Sequence, residues 1–178
     1  MKALLINPSV GYYTRALSNP LGLLSIATYL KSNGFEVKLE DRCINKISIK
    51  KLLKDYQPDI VGISLMSSRG IIDAAKVSKA AKERGIPVVW GGQMPSMQIS
   101  EVLSNEFVDY VSYGEGEITW LEIMEALKSG KVSAYIVFPE DFINKALEER
   151  IDRIKKYDSK YVEMIKDNTL LINTTGSL

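Results

Sequence analysis

The fold class is decided by the stretch Pro58-Asp59-Ile60-Val61-Gly62-Ile63-Ser64-Leu65-Met66-Ser67-Ser68. Its centre is a short apolar run rich in β-branched residues, with a proline before it and two serines after it. A run of this length is too short for a helix of its own and predicts a strand buried on both faces. The strand opens into small polar side chains directly before a helical pattern, as open α/β sheets do where they present a ligand site. A core strand followed by a serine helix cap is the alternative interpretation.

The composition excludes several classes of protein. The chain has 178 residues, 46% hydrophobic and 25% charged, which suits one compact domain with a sizeable core plus an extra element. Lys and Arg number 23 and Asp and Glu number 22, so charge gives no reason to expect nucleic acid or a membrane as partner. We find no signal-peptide pattern and no apolar run of membrane-spanning length, and therefore expect a cytoplasmic protein.

Two residue types that carry much enzyme chemistry are scarce. The single cysteine, Cys43, rules out an internal disulfide framework and any cysteine-rich metal site made by this chain alone. Histidine does not occur, which removes Ser-His and Cys-His catalysis and the commonest transition-metal ligand. We therefore single out no catalytic residue and no metal ligand among these residue types.

Apolar runs alternate with helical patterns over residues 1 to about 130. The strand pattern recurs in four further runs, at Ala3–Pro8, Phe35–Glu40, Ile86–Trp90 and Val108–Tyr113. Helical spacing of apolar residues predicts five helices, at Pro20–Lys31, Ile49–Tyr56, Ile71–Arg84, Met97–Ser104 and Ile118–Lys128. Because the connections are short, each helix is a crossover between parallel strands.

We therefore expect an α/β fold with a doubly wound, five-stranded parallel sheet of the flavodoxin-like, Rossmann-like type and strand order 2-1-3-4-5. That order puts the second strand, which alternates apolar and polar residues, at an edge and the most apolar strands in the middle. Ligands of such folds bind near the switch point between strands one and three. The loops that meet there are Asn7–Asn19, Ser64–Gly70, Gly91–Ser96 and Tyr113–Glu117.

Residues 132–178 differ in kind from the domain at 1–131. An extended run at 132–138 precedes an amphipathic helical pattern from Ile143 to Ile165, and Leu170–Asn173 is one more strand pattern. No closing element follows that pattern. We expect a carboxyl-terminal extension that leads towards a further domain, so that the chain is an amino-terminal fragment.

Small residues are prominent in the loops at the predicted carboxyl edge. Gly91-Gly92 lets a flat or phosphorylated ligand approach the backbone, although a tight turn also explains a glycine pair. Ser64, Ser67 and Ser68 offer hydroxyls to a buried uncharged nitrogen or a phosphate, although each alone is explained as a cap. Gly22 within the first helix and Gly62 within the third strand are costly unless something packs closely against them.

Other phosphate and nucleotide chemistries fit these loops less well. A phospho-acceptor receiver needs an acidic pair where this chain has Asn7-Pro8 and an aspartate where it has Ser64. The G-x-G-x-x-G and G-x-x-x-x-G-K-[ST] phosphate loops do not occur after the first strand. Gly114-Glu115-Gly116-Glu117 is too short and too acidic for a phosphate cradle, although its amides suit a neutral, amide-bearing ligand. Its two acids are also explained by the dipole at a helix start.

Five blocks of the sequence, in order, resemble the cobalamin-binding domain that precedes the radical S-adenosylmethionine domain in cobalamin-dependent radical enzymes. The blocks are Leu5–Pro8, Asn19–Leu23, Pro58–Ser64, Val88–Gly92 and Val108–Val111 with Gly114–Glu117. The resemblance covers residues 1 to about 130. It implies cobalamin as the cofactor. An iron-sulfur cluster and S-adenosylmethionine would belong only to a downstream radical domain, because the one cysteine of this chain cannot hold the cluster. By this resemblance the chain is not catalytic alone.

The resemblance also implies how cobalt is held. Gly22, Ser64 and Gly91-Gly92 match the small positions of the family signature D-x-H-x-x-G, S-x-L and G-G. Asn19 stands where the cobalt-ligating histidine would be, and Leu17 stands where the aspartate would be. Cobalamin would then be bound base-off, with no protein imidazole on cobalt and with an asparagine amide or a water below it.

The cofactor contacts implied by the resemblance come from the four loops. The nucleotide tail would enter beside the first helix near Gly22, Gly62 and Ser64, and the 91–94 and 114–116 turns would line its two sides. The expected contacts are Asn7, Pro8, Asn19, Gly22, Gly62, Ser64, Met66, Ser67, Ser68, Gly91, Gly92, Gln93, Met94, Tyr113, Gly114, Glu115 and Gly116.

Three functions stay open at this point. The first is a cobalamin-binding module of a radical S-adenosylmethionine methyltransferase or rearrangement enzyme, with the radical domain as its partner in cis or in trans. The second is a cofactor-free interaction or regulatory domain, which predicts Met66, Trp90 and Met94 packed where a corrin would sit. The third is a flavin or other nucleotide binder of similar topology.

Overall fold

The alternation of runs in the sequence folds into a parallel sheet with helices on both faces. The structure is a computed structural model that describes residues 1–11, 20–45, 47–130 and 136–137. The strands are β1 (Lys2–Asn7), β2 (Glu36–Asp41), β3 (Ile60–Ser64), β4 (Val88–Gly91), β5 (Tyr110–Ser112) and β6 (Ile136–Val137). The helices are α1 (Leu21–Ser32), α2 (Ile49–Tyr56), α3 (Ile71–Lys82), α4 (Gln93–Met97), α5 (Ile99–Leu103) and α6 (Gly116–Ser129), with a short 3-10 turn at Ser68–Gly70.

All strand pairs are parallel, in the order β2-β1-β3-β4-β5-β6. The predicted order 2-1-3-4-5 is confirmed, with the alternating strand β2 at one edge. A sixth strand of two residues, β6, extends the sheet at β5, so the sheet is larger than the five strands expected. These two residues belong to the extended run assigned to the carboxyl-terminal extension, and the boundary near residue 131 stays a prediction.

Two apolar layers cover the sheet, one on each face. The side chains of Leu4, Ile6 and Val61 pack against α2, α3 and α5 on one face. Those of Leu5 and Val89 pack against α1 and α6 on the other. This division follows from the period of two in a strand, which sends neighbouring side chains to opposite faces. The cleft described below lies on the α1 and α6 side.

The segment after β4 differs from the sequence expectation. A loop at 91–96 and one helix at Met97–Ser104 were expected, and the structure has two short helices, α4 and α5, joined at Gln98. Gly92 turns the chain at a φ of +96°, so that α4 begins at the next residue. Pro95 lies in the first turn of α4, where backbone N–H groups have no acceptor within the helix, so the N–H that proline lacks costs no hydrogen bond.

Three predicted helix ends are confirmed by their glycines. Gly34, Gly85 and Gly130 adopt φ values of +82°, +69° and +68° just after α1, α3 and α6. The helical pattern from Ile143 to Ile165 and the strand pattern at Leu170–Asn173 lie outside the described residues. Within the residues that the structure describes, none of the helices has the length and apolar character needed to span a bilayer.

Candidate functional site

A cleft of about 160 Å³ opens at the carboxyl edge of the sheet, beside the first turns of α1 and α6. The ends of β3, β4 and β5 form its floor, and the turn before α6 forms one wall. The lining residues are Gly22, Leu23, Ile26, Ile63, Ser64, Met66, Gly91, Gly92, Ser112, Gly114, Glu115, Gly116, Glu117 and Trp120. The cleft lies at the carboxyl edge of the sheet, as expected for a ligand site, but its described lining comes from the ends of β3 to β5 and includes no residue of β1.

Glycines keep this edge open for two different reasons. A Cβ on Gly22 would meet no atom within 4 Å, so the start of α1 presents bare backbone to open space. A Cβ on Gly92 would lie 2.8 Å from the Leu65 carbonyl oxygen, so the β4 turn packs directly on the end of β3. The first glycine leaves room for a ligand, and the second is required by the backbone itself.

Two serines lie in the floor of the cleft, one on each side of Gly91 of β4. Ser64 is the last residue of β3, and Ser112 is the last residue of β5 and is buried. Among the described residues, neither hydroxyl has a hydrogen-bond partner. Each is able to donate to or accept from a ligand group, because a hydroxyl carries one donor and two acceptor sites.

The two helices beside the cleft are joined at its mouth. The hydroxyl of Ser25 in α1 donates a hydrogen bond to the Glu117 carboxylate in α6. Close by, the Ile26 side chain lies over Gly116, where a Cβ would collide with Cδ1 of that isoleucine. A small residue at position 116 thus lets the first turns of α1 and α6 approach each other.

Removing the Ser25 hydroxyl tests how much this junction contributes. Ser25→Ala is expected to lower the free energy of unfolding by about 1 kcal/mol, because an exposed hydrogen bond to a charged group has a modest net value. Denaturant unfolding measures it. Ser104→Ala is the matched control, since the Ser104 hydroxyl donates only to the Glu101 carbonyl of its own helix. A loss no larger than in the control would show that the junction does not hold the helices together.

A second polar cluster, which no sequence pattern predicts, lies at the carboxyl ends of β1 and β2. The Asp73 carboxylate accepts hydrogen bonds from Nε and NH2 of Arg42 at 2.7 and 2.9 Å, and from the Ser9 backbone N–H at 2.8 Å. NH1 of Arg42 donates to the Ile47 carbonyl at 3.0 Å. The cluster holds the start of the β1 to α1 connection against α3.

The electrostatics of this cluster favour its ion pair. Burial raises the pKa of Asp73, but hydrogen bonds from Arg42 and from the Ser9 backbone outweigh it, so the pKa is held below its usual value. The hydrogen bond to Asp73 raises the pKa of Arg42 in turn. Burial raises the pKa of the neighbouring Cys43 thiol, so that cysteine is not an activated nucleophile.

The structure brings eight of the expected contact residues together at the cleft. They are Gly22, Ser64, Met66, Gly91, Gly92, Gly114, Glu115 and Gly116. Eight others do not line it: Asn7, Pro8, Gly62, Ser67, Ser68, Gln93, Met94 and Tyr113. Asn19, with Leu17, lies outside the described residues. Six lining residues were not singled out as contacts: Leu23, Ile26, Ile63, Ser112, Glu117 and Trp120.

Six of the eight residues that do not line the cleft have another identifiable place in the fold. Asn7 donates to Asp41 at 3.0 Å, at the second cluster. Gly62 is covered by the indole of Trp120. Ser67 and Ser68 precede and begin the 3-10 turn, and Gln93 and Met94 begin α4. Ser112 had a sequence signal, since it ends a strand as Ser64 does.

A cofactor-free domain was expected to have Met66, Trp90 and Met94 packed together at the carboxyl edge of the sheet. These three side chains do not pack together there. Met66 is 70% exposed at the rim. Trp90 is buried on the α3 side of the sheet, where its Nε1 donates to Ser78 at 2.9 Å. Met94 packs against the same apolar layer as Trp90.

Comparisons with known proteins place these features in a family. Residues 14–124 match the model of the B12 binding domain. The chain is 32% identical over 143 residues to an uncharacterized methyltransferase of Pyrococcus horikoshii, a match that covers 74% of this chain and 30% of that protein. It is 30% identical over 158 residues to the cytidylyl-2-hydroxyethylphosphonate methyltransferase of Streptomyces wedmorensis, covering 74% of this chain and 29% of that enzyme.

A solved structure shows the same fold. It is the radical S-adenosylmethionine methyltransferase TsrM from Kitasatospora setae with cobalamin and a [4Fe-4S] cluster bound, with a TM-score of 0.58 and 23% identity over 74% of this chain and 27% of that one. The chain spans less than a third of the length of the two methyltransferases named above. Because the family model covers more than half of its residues, this chain belongs to the B12 binding domain family.

Proposed function

We propose that this chain is the cobalamin-binding module of a radical S-adenosylmethionine methyltransferase. The observation that carries the proposal is the open cleft at the carboxyl edge of the sheet, half of whose lining residues are glycine or serine, in a member of the B12 binding domain family. Two relatives at 32% and 30% identity are methyltransferases by name, which favours methyl transfer over rearrangement.

The residues at the cleft fit a large, neutral, amide-bearing ligand. Gly22 leaves the side of α1 open, and the Gly91-Gly92 turn brings backbone rather than side chains to the rim. The Ser64 and Ser112 hydroxyls offer hydrogen bonds without charge. Backbone N–H groups in the first turn of α6 have no partner within the helix, so they suit the carbonyl oxygens of amide groups.

When bound, cobalamin supplies methyl-carrier chemistry, and this chain supplies binding and orientation. We propose that the cofactor is held without a protein imidazole, because the sequence contains no histidine. On the sequence alone, Asn19 would take the place of the family's cobalt-ligating histidine. The role of this chain is then to present the cofactor rather than to move protons.

We assign the radical chemistry to a partner domain, in cis or in trans. The one cysteine of this chain cannot hold a [4Fe-4S] cluster, which needs several thiolates. Met66, which lines the cleft, is 70% exposed. An exposed apolar side chain at the mouth of the cleft supports contact with a partner domain there.

Loading with hydroxocobalamin tests the proposal directly. We expect the purified chain to keep one equivalent of cofactor through a desalting column and to show a base-off visible spectrum. Passage of all the cofactor through the column contradicts the proposal and favours the cofactor-free interaction domain. A flavin spectrum in the protein as isolated would favour the third function instead.

Two variants in α1 test whether the retained hydroxocobalamin is bound in the cleft. Gly22→Leu is expected to abolish retention, because its side chain extends into the cleft, while the backbone tolerates a Cβ there. Thr28→Leu is the matched control, since Thr28 is an exposed residue of the same helix that does not line the cleft. Both variants should melt no earlier than the unsubstituted chain, because leucine favours helix over glycine and threonine.

A further inference from the structure

The inner end of the cleft is closed by one aromatic side chain. Trp120, one turn into α6, is 3% exposed and lines the cleft. Its other side belongs to the apolar layer that contains Leu5, Leu23 and Val89. The indole is therefore the boundary between the cleft and the core.

The indole packs against the sheet at Gly62, a position that has no side chain. A Cβ on Gly62, in the middle of β3, would collide with Cζ2 and Cη2 of Trp120. Gly62 pairs with Leu5 of β1 and Val89 of β4, so this is the centre of the sheet and not its rim. The resemblance places a nucleotide tail near Gly62. In this structure the space over Gly62 is filled by the indole of Trp120.

The remaining space limits what enters beside the indole. A cavity of about 150 Å³ accommodates one benzene molecule. The cleft has a similar volume of about 160 Å³ and is open at its mouth, so a two-ring base that reaches further inward than a single ring meets the buried indole. A larger base enters only if the buried indole moves out of its layer, which exposes apolar surface to water.

We propose that Trp120 sets the depth of the cleft and thereby selects corrinoids by the size of their lower base. This inference rests on the proposed function. Corrinoids without a nucleotide tail, or with a single-ring base, bind with the indole in place. The two-ring dimethylbenzimidazole of cobalamin binds at the cost of displacing it. Trp120 is accordingly a specificity-determining residue and takes no part in the chemistry.

Titrations with two corrinoids test the selection. The probes are hydroxocobalamin and aquacobinamide, which lacks the nucleotide, followed by their visible spectra. The unsubstituted chain should bind aquacobinamide at least as tightly as hydroxocobalamin. Trp120→Leu should strengthen hydroxocobalamin binding about tenfold and change aquacobinamide binding less than threefold. Trp120→Phe, which keeps one ring and most of the packing, should shift the ratio in the same direction by a smaller factor.

The controls separate this inference from the function on which it rests. Trp90→Phe removes the other tryptophan, on the opposite face of the sheet, and should leave the ratio unchanged. Binding of neither corrinoid to the unsubstituted chain overturns the proposed function and this inference with it. Tighter binding of hydroxocobalamin than of aquacobinamide, with a ratio that the Trp120 variants do not shift, leaves the function standing and overturns the role of Trp120.

Discussion

Gly92→Ala is expected to lower the free energy of unfolding by about 3 kcal/mol, which lowers the melting temperature by roughly 10 °C. Gly92 adopts φ +96° and ψ −176°, a region that residues with a Cβ rarely enter. Its Cβ would also lie 2.8 Å from the Leu65 carbonyl oxygen and 3.1 Å from the Leu65 backbone nitrogen and carbonyl carbon. Strain and collision act together at this residue.

A small shift of neighbouring atoms cannot remove the collision at Gly92. The atoms that would have to move belong to backbone, and Leu65 is held at both of its polar groups. Its N–H donates to the Gly91 carbonyl at 2.7 Å, and its carbonyl accepts from the Met94 N–H at 3.1 Å. Shifting Leu65 would therefore break the connection between β3 and the β4 turn, at the edge where the cleft opens.

Gly34→Ala is the control for backbone strain alone. Gly34 also has a positive φ, +82°, but a Cβ there would meet no atom within 4 Å. Its expected loss is about 1 kcal/mol, the cost of a left-handed residue with a side chain. Guanidinium unfolding of both variants gives the comparison. Equal losses would mean that the contact with Leu65 relaxes freely, contrary to the packing described for this turn.

The strand order was predictable because it depends on local burial. Residues 36–38 of β2 are exposed, buried and exposed in turn, as in an edge strand, although the charged Glu40 further along is buried, whereas β3 is buried along nearly its whole length. The alternation of strands and helices then fixes parallel pairing and right-handed crossovers. The two-residue strand β6 was not predictable as a sheet member, because its pairing depends on the open edge of β5 and not on its own sequence.

The site residues at the ends of strands could be predicted from the sequence, but the helix residues that pack over the sheet could not. Ser64, Gly91 and Gly92 could be placed at the cleft, because the ends of parallel strands meet at one edge. The sequence also indicated that something packs closely on Gly62, but it did not identify Trp120 as that neighbour. A helix residue is matched to a strand residue by how the helix lies across the sheet, and this depends on many contacts far apart in the chain.

The Arg42 and Asp73 pair had no sequence signal at all, and its removal is the second large effect expected. Asp73→Leu should lower the free energy of unfolding by about 3 kcal/mol or more, because it leaves a largely buried guanidinium without its counter-charge. The side chains of Arg42 and Asp73 are only 15% and 14% exposed. The substitution also removes the acceptor of the Ser9 N–H, at the start of the connection that carries Asn19.

Two further variants separate the buried charge from the loss of a contact. The double variant Arg42→Leu, Asp73→Leu should lose less stability than Asp73→Leu alone, because it also removes the guanidinium that the single substitution leaves without Asp73. Glu83→Ala is the control for an exposed pair, since the side chains of Lys50 and Glu83 are 72% and 65% exposed and 3.8 Å apart. Its effect should stay within about 0.5 kcal/mol. A double variant less stable than Asp73→Leu would show that the pair stabilises through its hydrogen bonds.

Acid titration of stability gives an independent check on Asp73, and its sign follows from the lowered pKa. A carboxyl whose pKa is lower in the folded state binds fewer protons there than in the unfolded chain, so the pair contributes its full stability above the usual aspartate value of 3.8. That contribution is lost as the pH falls through the lowered folded-state pKa. The difference in unfolding free energy between the unsubstituted chain and Asp73→Leu should therefore be constant near neutral pH and shrink below about pH 4. A difference that does not change with pH would mean that Asp73 acts through packing alone, and that the ion pair does not hold Ser9 against α3.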